Sequence, residues 1–202
     1  MNNWDDRLSG LSSSLFPPST PLGQLPISGY RSDDPKWQPR LSAVLLPLVL
    51  SPQPALVLTV RSDGMSSHAG QVALPGGCRE DAEPFPVQTA LREAHEETGI
   101  NPECVEVLGL MQQFDTISAY RIVPVVGVIR QEPTFCPCPD EVRKIFTVPL
   151  DRVFDADSYC RHQVRHLHKE YEVWSMRSDC WPVWGATAAI LADLANLAAA
   201  SR

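Results

Sequence analysis

A layered α/β domain built on a mixed β-sheet is the fold class this sequence predicts, from three observations. Short apolar runs rich in β-branched residues lie both before and after one central helical segment. That segment, 86–98, has proline in its first turn and Gly99 just past its end, the usual asymmetry of helix boundaries. A second, amphipathic helical stretch follows over 184–199.

The elements follow in order. Residues 1–40 are rich in Ser and Pro; the first dozen can form a short helix, and the rest reads as an arm wrapped over a domain of residues 41–202. A buried strand starts at Ser42, with Pro47 marking a bulge or a sheet edge, and 55–59 completes a hairpin. Residues 61–70 are a polar Gly/Ser loop, 71–74 a short strand, and Pro75-Gly76-Gly77 a turn. Beyond the central helix, strands are expected over 105–111, 122–129, 145–149 and 171–174, with a short helix over 150–156.

Composition bounds the function. Apolar residues make up 44% of the chain and charged ones 20%, enough for a packed core. A net charge of -7 argues against nucleic-acid binding, which calls for a basic surface. Of the six cysteines only Cys136 and Cys138 are close in sequence, and one CxC lacks the second ligand pair of a zinc site. Reduced thiols in a cytoplasmic protein are the expectation. The N-terminus carries no basic segment followed by an apolar core, so no signal peptide is read there. Asp193 and Asn196 interrupt the last helix, which is also too short to span a bilayer.

The chemistry concentrates in residues 92–100, Arg-Glu-Ala-His-Glu-Glu-Thr-Gly-Ile. On a helix, Glu93, Glu96 and Glu97 fall in one sector of about 100°, while Val87, Leu91 and Ala94 point elsewhere, towards a sheet. No Lys or Arg lies within that sector to relieve the repulsion, and acidic groups near a helix C-terminus oppose its dipole. Crowded hard oxygen ligands suit Mg²⁺ or Mn²⁺; the bland alternative is a solvated acidic face. His95 lies about 200° round the wheel and is structural. His162, His166 and His168 read as a solvated segment, and Trp184 as core.

The stretch from Gly77 to Ile100 resembles the Nudix box, G-x5-E-x7-R-E-U-x-E-E-x-G-U with U aliphatic. Arg92, Glu93, Glu96, Glu97, Gly99 and Ile100 occupy its second half, with Ala94 at the first U. Gly77 and Glu83 keep the first spacing, but eight residues rather than seven separate Glu83 from Arg92. Upstream, Val57-Leu58-Thr59-Val60-Arg61-Ser62, Gly70 and Leu74-Pro75-Gly76-Gly77 resemble the additional motif of the coenzyme A pyrophosphatases in this family. Ser66 stands where that motif has a second Arg, and Leu74 where it has Phe. Residues 139–150 and 183–188 resemble two further segments of the same subfamily, so the likeness spans roughly 40–195.

The resemblance implies a Nudix-type α/β/α sandwich and metal-dependent hydrolysis of a diphosphate, with coenzyme A or acyl-CoA cut to 3′,5′-ADP and 4′-phosphopantetheine. The alternatives are another nucleoside diphosphate derivative (NADH, ADP-ribose, a nucleoside triphosphate) or a non-catalytic nucleotide sensor. It implies metal ligation by Glu93, Glu96, Glu97 and the Gly77 carbonyl, with Glu93 or Glu141 as general base and Arg92 orienting a catalytic Glu. Arg61, His68 and Gln71 are the substrate-binding candidates. The partner is then a small molecule, with neither nucleic acid nor membrane; the tail helix or the arm offers an interface for a homodimer.

Overall fold

In a computed structural model, residues 4–65, 67–166, 169–177 and 181–201 are described; Ser66, His168 and Cys180 lie outside them. The chain opens with helix α1 (Trp4–Ser14), whose Trp4, Leu8 and Leu11 recur at helical spacing and are buried. Strand β1 (Ile27–Gly29) leads to the long β2 (Arg40–Val49), and β3 (Ala55–Arg61) returns antiparallel to it in the expected hairpin. Then come β4 (Val72–Ala73), β5 (Gly76–Cys78) and helix α2 (Val87–Thr98). The helix is preceded by Pro86, and Gly99 ends it at φ 78. Strands β6 (Glu106–Leu110), β7 (Gln113–Asp115), β8 (Tyr120–Ile129) and β9 (Val142–Pro149) complete the main sheet.

Its order is β1-β7-β8-β2-β3-β4, with β5 on β2, β6 on β8 and β9 on β3. The sheet is mixed: β2 runs parallel to β8 over its whole length and β1 parallel to β7, while the other pairs are antiparallel. Alternation along β2 and β8 sorts the core into two layers. Ala43, Leu45, Val123 and Val125 face Ala90 and Ala94 of α2. Leu46, Leu48, Val126 and Val128 face the other way, onto α1 and the last helix, α4 (Gly185–Ala200). This is an α/β/α sandwich. Short helix α3 (Leu150–Val153) tightens the turn out of β9. A hairpin of β10 (Tyr159–His166) and β11 (Lys169–Met176), with β12 (Val183–Trp184), forms a second small sheet before α4.

Several expectations change. Pro47 lies at neither an edge nor a bulge but inside the central strand, opposite Gly127. Leu45 donates its N–H to Pro75 on the β5 side. Position 47 faces that side too, in the gap where the partner changes from β5 to β3, so a missing donor costs little there. Gly76 and Gly77 pair with Val44 and Ala43 as a strand rather than closing a turn. Trp184, expected in the core, is 48% exposed. Strand β10 went unread because Tyr-Cys-Arg-His-Gln-Val-Arg-His has no apolar alternation; its residues from Arg161 to Arg165 are exposed, and backbone pairing to β11 holds it.

Candidate active site

Helix α2 lies against β2 and β5 and carries the acidic sequence at its C-terminal half. The loop before it is tied to the helix by Glu83, which accepts hydrogen bonds from Thr89 Oγ1 at 2.6 Å and Arg92 Nε at 2.9 Å. The extra residue in this loop leaves Glu83 in contact with Arg92. Hydrogen bonding to Arg92 holds the Glu83 carboxyl below its usual range, and the Arg92 guanidinium is raised in turn.

Arg92 also meets Glu96 Oε2 through Nη1 at 2.8 Å and Glu93 Oε1 through Nη2 at 2.9 Å, and donates to the Cys78 carbonyl at 3.3 Å. The expectation that no cation relieves the acidic face therefore needs correction. Arg92 projects from the neighbouring sector, and its long side chain reaches across to two of the three carboxylates.

The three carboxylates differ in environment. Glu97 is 3% exposed, accepts the Gly76 N–H at 3.1 Å, and has Arg61 Nη1 at 3.9 Å. Burial pushes its carboxyl up to about 8, against the opposing effects of the Gly76 N–H and Arg61. Burial likewise raises Glu93, with Arg92 opposing and the charges of Glu96 and Glu141 adding to the rise. Glu96 is exposed and held by Arg92. Among the described residues, no three His, Cys, Asp or Glu side chains stand together at ligand spacing.

A cavity of about 1160 Å³ opens in front of Glu93 and Glu97. Gly77 borders it, and a Cβ at that position would collide with the Glu93 carboxylate, so only glycine permits the approach. Arg61 stands at the cavity wall where the β3–β9 register shifts, a bulge that re-aims its side chain. Its Nε is buried without a hydrogen-bond partner, the one such side-chain atom among the described residues. Glu141 joins the wall because its carbonyl accepts the Ser62 N–H at 2.8 Å, clipping the loop before β9 to the end of β3. His68 and Gln71 line the same cavity and bond each other, Nδ1 to Oε1, at 3.0 Å.

The fold thus brings Gly77, Glu93, Glu97, Glu141, Arg61, His68 and Gln71 to one cavity, while Glu96 and Arg92 stand behind it and do not line it. His95 turns away and meets the Ile100 carbonyl at 3.1 Å. His162 is exposed and bonds Ser175 at 2.7 Å. One cavity residue was missed as a site candidate. Asp193 of α4, bonded to Gln112 Nε2 at 2.7 Å, is raised by burial; its interruption of an apolar helix was the available signal. Glu83 was readable by spacing, but its partnership with Arg92 depends on how the loop folds back.

One buried and one half-buried carboxylate with raised proton affinity, beside a glycine cradle and a guanidinium whose Nε lacks a partner, form a donor set suited to a hard divalent cation together with an anionic substrate. Divalent ions such as Mg²⁺ and Mn²⁺ serve Nudix hydrolases generally.

A sequence model of the NUDIX domain matches residues 39–167. The Nudix hydrolase NudL of Pectobacterium atrosepticum, itself uncharacterized, is 41% identical over 161 residues, covering 80% of this chain and 84% of its own. NudL of Escherichia coli K12, also uncharacterized, is 39% identical over 156 residues, covering 77% and 81%. Among solved structures, a C. elegans Ap4A hydrolase binary complex aligns over 55% of this chain and 80% of that one, at 17% identity and a TM-score of 0.47. With the family match spanning well over half its length and the acidic helix facing a cavity, the chain belongs to the Nudix family and is a Nudix pyrophosphohydrolase.

Proposed function

We propose that this enzyme cleaves the diphosphate of coenzyme A or an acyl-CoA, releasing 3′,5′-ADP and 4′-phosphopantetheine. One observation carries the reading. The segments that resemble the coenzyme A pyrophosphatase motif, Val57–Ser62, Gly70 and Leu74–Gly77, fold as the end of β3, β5 and the loop between them, beside Glu93 and Glu97. The cavity, about 1160 Å³, has room for a nucleotide-sized substrate.

Glu93, Glu97 and the Gly77 carbonyl, with Glu96 once released from Arg92, would hold Mg²⁺ or Mn²⁺. When bound, such an ion neutralises diphosphate oxygens and acidifies water. The remaining work falls to the chain. Arg61, which lines the cavity with Nη1 3.9 Å from Glu97, offers its guanidinium to a phosphate oxygen. Arg92 fixes the Glu93 carboxylate through Nη2. Glu93 or Glu141 accepts the proton of the attacking water, both being carboxylates on the cavity wall. Comparing kcat–pH profiles of Glu93→Gln and Glu141→Gln separates them: the base is the residue whose loss removes the acidic limb.

Ser66, standing where the motif has its second Arg, favours a second reading: a different nucleoside diphosphate derivative, such as NADH, ADP-ribose or a nucleoside triphosphate. A substrate panel with Mn²⁺ tests the assignment. Coenzyme A turned over fastest supports it, preference for another diphosphate replaces it, and binding without turnover of any substrate makes the domain a sensor. The proposed homodimer rested on the tail helix or the arm. The apolar residues of α4 are largely buried within the chain, against α1 and the small hairpin, which favours the arm over that helix as the interface; light scattering reads the mass. No helix among the described residues is long and apolar enough to cross a membrane, and we propose a cytoplasmic enzyme.

A further inference from the structure

Cys136 and Cys138 do not line the cavity, yet both are tied to the site. Cys136 donates its N–H to the Thr98 carbonyl at 2.8 Å, and Cys138 donates to the Glu97 carbonyl at 3.2 Å. The segment thus caps the end of the helix that carries the acidic sequence. The Cys138 carbonyl in turn accepts the N–H groups of Glu141 at 3.1 Å and Val142 at 2.8 Å, closing the turn that sets Glu141 on the cavity wall. Cys136 also lies flat against Gly99, where a Cβ would stand 2.7 Å from the Cys136 nitrogen and 2.8 Å from its Cβ. Backbone bonds through residues 136–138 therefore join Glu97 to Glu141.

The local sequence, Cys136-Pro137-Cys138-Pro139, holds this stretch straight. Each cysteine precedes a proline, which disfavours the helical region for it. Pro137, exposed between them, has no N–H to leave unpaired. Two N–H groups two residues apart, aimed at successive carbonyls, mark an extended segment, in which residues two apart turn their side chains to one face. Cys136 is exposed and Cys138 partly buried, so small reagents reach the pair.

This extended form is incompatible with a bond between the two sulfurs. Residues two apart in an extended chain are about 6–7 Å apart, whereas a disulfide brings its Cβ atoms to about 3.8 Å. Closing the bond bends residues 136–138, withdraws at least one N–H from the end of α2 and shifts the Cys138 carbonyl that holds Glu141. We propose that Cys136 and Cys138 are a redox switch, in which oxidation to a disulfide loosens Glu97 and Glu141 together and turns hydrolysis off. The effect on Glu97 follows from the fold, and the effect on Glu141 rests on its proposed place in catalysis. With a small-molecule disulfide as oxidant the step balances. The Cys136 thiolate attacks one sulfur of the reagent and expels a thiolate; the Cys138 thiolate then attacks the Cys136 sulfur and expels the second. The two cysteine protons go to the two released thiolates, and two electrons pass from the cysteines to the reagent. An exposed disulfide that must bend a proline-stiffened segment is readily reduced, which makes the switch reversible.

The test treats the intact chain with oxidised glutathione. It follows the mass of the peptide holding both cysteines, Mn²⁺ binding by titration calorimetry, and turnover of whichever diphosphate the reduced chain cleaves fastest. The switch predicts a peptide two hydrogens lighter, and Mn²⁺ affinity and turnover both lowered about 10–100-fold, the range for a disturbed supporting shell. Dithiothreitol restores all three readings. Cys136→Ser and Cys138→Ser, which cannot close the bond, keep Mn²⁺ binding and turnover through the same treatment. A peptide that stays unoxidised overturns the proposal, as does an oxidised peptide with unchanged Mn²⁺ affinity and turnover, or a loss that persists in both serine variants. Failure to cleave coenzyme A bears on the substrate assignment alone and leaves the mass and Mn²⁺ readings to decide the switch.

Discussion

Glu97 is a carboxylate placed where a carboxylate does not want to be charged. It is buried, and a single backbone N–H and a guanidinium at 3.9 Å compensate it only in part, so its carboxyl is raised from 4.5 to about 8. Because the folded protein binds this proton more tightly than the unfolded chain, the contribution to stability is fully present below about pH 4.5 and is lost as pH rises through 8. The thermal midpoint of the metal-free protein is predicted to fall between pH 5 and 9, and Mn²⁺ to offset the fall by replacing the proton. Glu97→Gln, an uncharged mimic, flattens this pH dependence while lowering kcat by roughly 10²–10⁴-fold, the scale of one positioned catalytic group. Calorimetric scans with and without Mn²⁺ read the first effect and steady-state kinetics the second. A steep fall persisting in Glu97→Gln would assign it to another group. Gly77→Ala has a related outcome: its new methyl displaces the Glu93 carboxylate, and activity is lost while the fold, read by circular dichroism, remains.

Helix α2 is held at both ends by devices of very different visibility. Pro86 and Gly99, and the order Arg92, Glu93, Glu96, Glu97, are local signals, so the helix and its chemistry could be read directly. Its tethers are not local. Glu83 ties the preceding loop to Arg92, and the N–H groups of Cys136 and Cys138 are donated to the Thr98 and Glu97 carbonyls at 2.8 and 3.2 Å, satisfying the helix end. That explains what the two cysteines' segment does without invoking a metal. The wheel placed Glu96 with Glu93 and Glu97, but a wheel carries no side-chain length, and Arg92 draws Glu96 outward. Strand β10 was illegible for the opposite reason, since a polar ribbon held by backbone pairing leaves no apolar period. Arg92→Lys, which keeps the charge but loses the fork, is predicted to lower kcat/KM about 10–100-fold, the range for a group that orients a ligand. A variant with unchanged kinetics would reduce Arg92 to a surface ion pair.

At the scale of the molecule, the sheet is covered on both faces. One face seats α2; the other buries α1 and α4, with Leu11 at 0% exposure among the leucines of that core, and α4 also lines the cavity in front of Glu93 and Glu97. Leu11→Ala is predicted to cost about 2–5 kcal/mol in chemical denaturation, leaving KM unchanged because Leu11 does not line the site cavity. The cavity itself is assembled from the arm, β3, α2, the loop before β9, the hairpin and α4, elements spread over the whole chain. The central claim is that this assembly hydrolyses the diphosphate of coenzyme A. Incubating the purified chain with coenzyme A and Mg²⁺ or Mn²⁺, beside Glu97→Gln, and identifying products by mass is its most direct test. The account predicts metal-dependent release of 3′,5′-ADP and 4′-phosphopantetheine that vanishes in the variant; intact coenzyme A alongside rapid cleavage of another nucleoside diphosphate derivative would contradict it.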